Sequence, residues 1–130
     1  MSAHILVVED NDMNFKLAQR LLEIEGYRVS HAVDAEKALV QVHADPPDLI
    51  VLDIQLPEMD GFALAELLGQ DEATRHIPLM ALSAHAMQED LQRAKEMGIA
   101  GYMTKPIDTR KFPSLVIECL NRGKIKKGTP

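Results

Sequence analysis

The 130 residues suit one globular domain. Hydrophobic residues make up 46%, enough for a core and too many for a disordered chain. A formal net charge of −6 argues against a nucleic-acid-binding surface, which needs clustered Lys and Arg to meet phosphates.

The one basic run, Lys124-Ile125-Lys126-Lys127, reads as part of a short solvated tail, residues 123–130, behind a folded unit of residues 1–122. A single cysteine, Cys119, rules out an intrachain disulfide and suits a reducing compartment. Its apolar neighbours Val116, Ile117 and Leu120 make it a packed small hydrophobe rather than a reactive thiol. No apolar stretch reaches the roughly 18 residues of a membrane span, and no signal peptide precedes the first strand. The expectation is a soluble, cytoplasmic protein without membrane contact.

Apolar runs alternate with helical patterns five times. His4 to Val8 is continuous rather than alternating, the mark of a strand buried on both faces. Asn11 or Asp12 then caps a helix carrying Phe15, Leu17, Ala18, Leu21 and Leu22, which ends at Gly26. Tyr27 to His31 is a short second strand, and Asp34 caps a helix with Ala35, Ala38, Leu39 and Val42 inward. Pro46-Pro47 breaks that helix before a third strand from Asp48 to Asp53. A third helix from Gly61 to Leu68, a strand from Pro78 to Leu82 and a helix from Met87 to Met97 follow, the last stopped by Gly98. Ala100 to Thr104 and Asp108 to Asn121 are the final strand and helix. Pro113 falls about one turn into that helix, so the helix either starts late, near Arg110 to Phe112, or is kinked.

Strict alternation implies an α/β fold: a parallel sheet covered by helices on both faces, joined by right-handed crossovers. Five such units suit a flavodoxin-like three-layer (βα)5 arrangement with strand order 2-1-3-4-5, an order taken from known sheets of this size. Its ligand crevice lies at the C-terminal ends of strands 1 and 3.

Strand 1 ends in Glu9-Asp10 and strand 3 in Asp53, so three carboxylates meet at that crevice. Single acidic residues at strand ends often only solvate the surface or cap a helix. Three at the two selected strand ends argue instead for a bound divalent cation that offsets their repulsion. Oxygen-only ligands suit Mg²⁺. Asp53, ending the central strand, is the candidate nucleophile, since an aspartate can form an acyl phosphate. Strand 4 ends at Ser83 and strand 5 runs into Lys105-Pro106. Each alone is an ordinary strand-end residue, but together they offer the hydroxyl and ammonium donors that a phosphoryl group needs. A trans Lys105-Pro106 bond is the expectation from composition. Tyr102 reads as a half-buried residue at the sheet edge.

Glu9-Asp10, Asp53, Ser83 and Lys105-Pro106, with the loop Asp53-Ile54-Gln55-Leu56-Pro57-Glu58-Met59-Asp60-Gly61, closely resemble the bacterial two-component response-regulator receiver family. The resemblance covers about Ile5 to Leu120. Glu9-Asp10-Asn11, Asn14, the run Asp53 to Glu58, and Ala84-His85-Ala86-Met87 further resemble stand-alone regulators of the DivK type, and receivers of hybrid histidine kinases share some of these features. The family implies that Asp53 accepts a phosphoryl group from phosphohistidine on a histidine kinase or phosphotransfer protein. Asp10 and Asp53 would ligate Mg²⁺, with Glu9 assisting directly or through water and Gln55 giving its backbone carbonyl. Ser83 and Lys105 would hold the phosphoryl oxygens, and Tyr102 would act with Ser83 as a rotamer switch. Gln55 and His85 would tune dephosphorylation, and a cis Lys105-Pro106 bond would turn the lysine inward. The output would be a changed contact with a downstream protein, by a monomer or a weak phosphorylation-dependent dimer. Such a chain is a switch rather than an enzyme, its chemistry limited to Mg²⁺-dependent phosphorylation and dephosphorylation of its own aspartate.

Three rivals fit less well. A haloacid-dehalogenase-like phosphohydrolase needs a second Asp two residues after the nucleophile, where Gln55 stands, and a substrate cap. A flavodoxin-like mononucleotide binder needs a phosphate loop after strand 1, where Glu9-Asp10 would repel the anion. A degenerate receiver that binds partners without phosphorylation would not need the full set of site residues.

Overall fold

Strands β1 (His4–Val8) and β3 (Leu49–Asp53) are buried at every position, as parallel strands covered on both faces must be. The computed structural model describes residues 2–56, 58–85 and 87–128, with side chains up to Gly123. Pro57, Ala86 and the side chains of Lys124, Ile125, Lys126 and Lys127, which the sequence reading used, lie outside the described residues. The remaining elements are α1 (Asp12–Ile24), β2 (Arg28–Ala32), α2 (Ala35–Ala44), α3 (Gly61–Gln70), β4 (Leu79–Ser83), α4 (Gln88–Glu96), β5 (Gly101–Thr104) and α5 (Lys111–Gly128).

The five strands pair in parallel in the order β2-β1-β3-β4-β5, so the expected α/β architecture and strand order are observed. Successive residues of each strand face opposite sides, and two cores form accordingly. Leu6, Val8, Ile50 and Leu52 pack with Ala38 and Val42 of α2 and Leu64 and Leu68 of α3. Ile5, Val7, Val51 and Leu82 pack with Leu22 of α1 and Phe112, Val116 and Cys119 of α5. Burial pushes the Cys119 thiol up to about 11, which keeps it protonated and inert.

The helices begin where short side chains can accept from free backbone donors. Asn11 accepts from the Asn14 N–H at 3.0 Å, Asp34 from Lys37 at 2.8 Å and Asp60 from Ala63 at 2.8 Å. Asn11, rather than Asp12, therefore caps α1. Gly98, at φ +75°, ends α4 in the left-handed region that favours glycine.

The last helix departs from the sequence reading at both ends. It begins at Lys111 rather than Asp108 and runs to Gly128 rather than Asn121. Asp108 Oδ1 accepts from the Arg110 and Lys111 N–H groups at 2.9 and 3.1 Å, stopping the helix from starting earlier. Pro113 thus falls in the first turn, where a missing N–H costs little, and the late start resolves the clash. Beyond Asn121, α5 still packs against the chain entering β4: a Cβ on Gly123 would meet Pro78 Cγ at 2.6 Å. Among the described residues no helix is long and apolar enough to cross a membrane.

Candidate functional site

The register brings four strand ends to one edge. Val8 pairs with Leu52, Asp53 with Leu82 and Ser83 with Thr104, so Glu9, Asp53, Ser83 and Lys105 all emerge on the same side. Gly61 permits this edge to close. Its N–H donates to the Ile54 carbonyl at 2.7 Å, and an added Cβ would stand 2.7 Å from the Asp53 carbonyl oxygen and from Ile54 Cα. Only glycine fits there without moving the end of β3.

The side chains meet as well as the strands. Carboxylate oxygens of Glu9, Asp10 and Asp53 all lie within 4.8 Å of one another, with Glu9 and Asp53 buried and Asp10 exposed. Lys105 Nζ stands 2.8 Å from Asp53 Oδ2 and 3.2 Å from Glu9 Oε1. The Lys105-Pro106 bond is cis, against the expectation from composition and in line with the family resemblance. Asp53 Oδ1 accepts the Gln55 backbone N–H at 3.0 Å, and Glu9 Oε2 accepts that of Asn11 at 3.2 Å.

Charge is unevenly compensated here. Burial above all, with the neighbouring Asp53 carboxylate added, pushes the Glu9 carboxyl up to about 7. Burial pulls the Lys105 ammonium down, but Asp53 and Glu9 outweigh it and hold its pKa above the usual value. The ammonium is therefore charged at neutral pH. Glu9 Oε1 is buried and makes no hydrogen bond despite its 3.2 Å approach to the ammonium. Three clustered carboxylates with one such oxygen are a donor set that fits a hard divalent cation.

Ser83 is buried, but its hydroxyl faces Gln55 rather than Asp53: Gln55 Nε2 donates to Ser83 Oγ at 3.1 Å. Tyr102 is half-buried, packs beside Ile54, Phe62, Ala81 and Ala94, and its hydroxyl donates to the His85 carbonyl at 3.1 Å at the surface. The sequence reading gave β2 no part in the site, and the structure supplies one. His31 Nε2 lies 2.7 Å from the Glu9 carbonyl, and the ring stacks on Phe15 at 3.7 Å between centroids. A histidine near the C-terminal end of a short strand was the only available signal.

Comparison with known proteins agrees with this geometry. Residues 5–117 match the family described as the response regulator receiver domain. The chain is a response regulator receiver domain.

The receiver is 39% identical over 112 residues to the polar-differentiation response regulator DivK of Brucella ovis, covering 86% of this chain and 91% of that one. The likeness to DivK regulators read from the loops thus extends over most of the domain. A CheY-like receiver domain protein from Methanospirillum hungatei superposes with a TM-score of 0.88 at 25% identity, covering 97% of this receiver and 99% of that chain. The signal receiver domain of a histidine kinase from Syntrophus aciditrophicus gives 0.84 at 32% identity, with 92% and 91% covered.

Proposed function

We propose that this receiver takes a phosphoryl group from a phosphohistidine onto Asp53 and that the modified site alters its protein contacts. One observation carries the reading: the Lys105 ammonium lies 2.8 Å from Asp53 Oδ2, beside three carboxylates with oxygens within 4.8 Å of each other. Mg²⁺ held by the side chains of Asp10 and Asp53, by Glu9 directly or through water, and by the Gln55 backbone carbonyl would supply positive charge where anions gather.

In the transfer, an Asp53 oxygen forms a P–O bond as the P–N bond of the donor breaks. The electron pair stays on the ring nitrogen, and the donor leaves as neutral imidazole with a proton on its other nitrogen. Lys105 and the Ser83 hydroxyl are the donors on this chain for the phosphoryl oxygens. Ser83, the last residue of β4, accepts the His85 N–H on its hydroxyl, and the Tyr102 hydroxyl is tied to the His85 carbonyl. A displacement of Ser83 towards the phosphoryl group therefore moves the anchor of Tyr102, and the equilibrium shifts to the arrangement the phosphoryl group binds better.

The partners this reading requires are a histidine kinase or phosphotransfer protein upstream and a protein target downstream, with residues 1–122 as the working unit. Incubation with a phosphohistidine donor and Mg²⁺ should label the wild type, while Asp53→Asn and a chelator should each abolish the label. Equal labelling of Asp53→Asn would overturn the reading.

A further inference from the structure

Gln55 follows β3 and Ser83 ends β4, yet both ends of the Gln55 carboxamide are used to bridge from one to the other. Its Nε2 donates to Ser83 Oγ at 3.1 Å, and its Oε1 accepts the Ala84 backbone N–H at 2.8 Å. The His85 N–H also donates to Ser83 Oγ, at 3.1 Å. Ser83 thus serves as an acceptor twice over, which fills both lone pairs of its hydroxyl oxygen. The carboxamide orientation follows from its partners, because the reverse would set two donors face to face at Ala84. Gln55 is exposed, so hydrogen bonds rather than packing hold its side chain across the gap.

Of the two bridged groups, the Ala84 N–H donates in the bridge, and the Ser83 hydroxyl, an acceptor there, keeps its own proton to donate. Both stand at the end of β4, the strand paired with β3 at Asp53. A phosphoryl oxygen on Asp53 is an acceptor that needs such donors, and the Gln55 oxygen already occupies one of them. We infer that Gln55 is an intramolecular latch: its carboxamide holds the β4–α4 loop in the unphosphorylated receiver and must release it when Asp53 is phosphorylated. The latch rests on the phosphoacceptor reading of Asp53 and adds the residue that opposes it. The side chain suits the task in two respects. A carboxamide presents a donor to Ser83 Oγ and an acceptor to the Ala84 N–H at once, and Asn is one methylene shorter.

A latch that binds only the unphosphorylated arrangement biases the equilibrium by its own stabilising free energy. Gln55→Met keeps the length without the hydrogen bonds, and Gln55→Asn keeps the carboxamide without the reach. In the metal-free, unphosphorylated protein, Ala84 amide hydrogen exchange should quicken about three- to tenfold in both variants, as expected for one or two ordinary hydrogen bonds lost. With Mg²⁺ present, beryllium trifluoride, a phosphoryl mimic on carboxylates, should saturate both variants at about three- to tenfold lower concentration than the wild type. Unchanged exchange, or a mimic midpoint equal to or higher than wild type, overturns the latch. A wild type that never binds the mimic counts against the phosphoacceptor reading instead, and the exchange rates alone then decide the latch.

Discussion

Glu9 is a buried carboxylate, 2% exposed, whose ionisation the fold resists even though an ammonium stands 3.2 Å away. Burial and the Asp53 charge together outweigh Lys105, since the pKa moves upward to about 7. A neutral isostere should relieve this conflict. Glu9→Gln is expected to stabilise the metal-free protein at pH 8 by at most about 3 kcal/mol, less what the lost Lys105 ion pair contributed. Each pKa unit corresponds to about 1.4 kcal/mol, and the pKa rises from 4.5 to about 7. With Mg²⁺ at the proposed site, a ligand that binds only the folded state should raise the melting temperature of the wild type by mass action, and the same substitution should remove most of that rise. Thermal melts with and without Mg²⁺ test both halves, and a Glu9→Gln protein less stable than wild type in chelator would refute the charge argument. His31 serves the same loop from the other side, fixing the backbone of the residue whose side chain is under strain of charge.

Between elements, the contact of His43 with Asp71 is sensitive to pH. His43, in α2, has Nδ1 2.8 Å from the Leu39 carbonyl and Nε2 2.7 Å from Asp71 Oδ2, just past the end of α3. Both ring nitrogens face acceptors, so the imidazolium is favoured. The Leu39 carbonyl, then Asp71, raises the His43 pKa above 6.5, and His43 lowers that of Asp71 below 3.8. A histidine with a raised folded pKa contributes its stability in full below the unfolded value and loses it as pH rises through the folded one. The Asp71 contribution is present above its unfolded value and lost as pH falls through the folded one. The pair therefore stabilises between those limits. His43→Gln should lower the melting temperature at about pH 5.5 and leave it nearly unchanged at about pH 9, whereas a purely steric role would lower it equally at both. The exposed setting keeps the effect small.

For the molecule as a whole, β3 is the strand on which both cores and the site depend. Leu52, fully buried beside Asp53, packs with Val8, Leu64 and Leu68 on one face of the sheet. Leu52→Ala should cost about 2–5 kcal/mol by cavity formation. Against a net stability of about 5–15 kcal/mol for an ordinary domain, one such change consumes a large fraction. A urea midpoint within error of wild type would mean that the face repacks around the deletion.

Strand runs, capping residues and the helix-ending glycines were legible along the chain, because continuous apolar stretches and capping side chains act over a few residues. The convergence of Glu9, Asp10, Asp53, Ser83 and Lys105 was legible too, since a parallel order of 2-1-3-4-5 sends the C-terminal ends of all strands to one edge. Tertiary structure alone decided the rest. It placed His31 under Glu9, tied Gln55 to Ser83 and Ala84, gave the Tyr102 hydroxyl to His85, and started α5 at Lys111. The side-chain contacts join segments 17 to 29 residues apart, and the angles and distances that make them exist only once the sheet has set each loop in position. No periodicity along the chain encodes them.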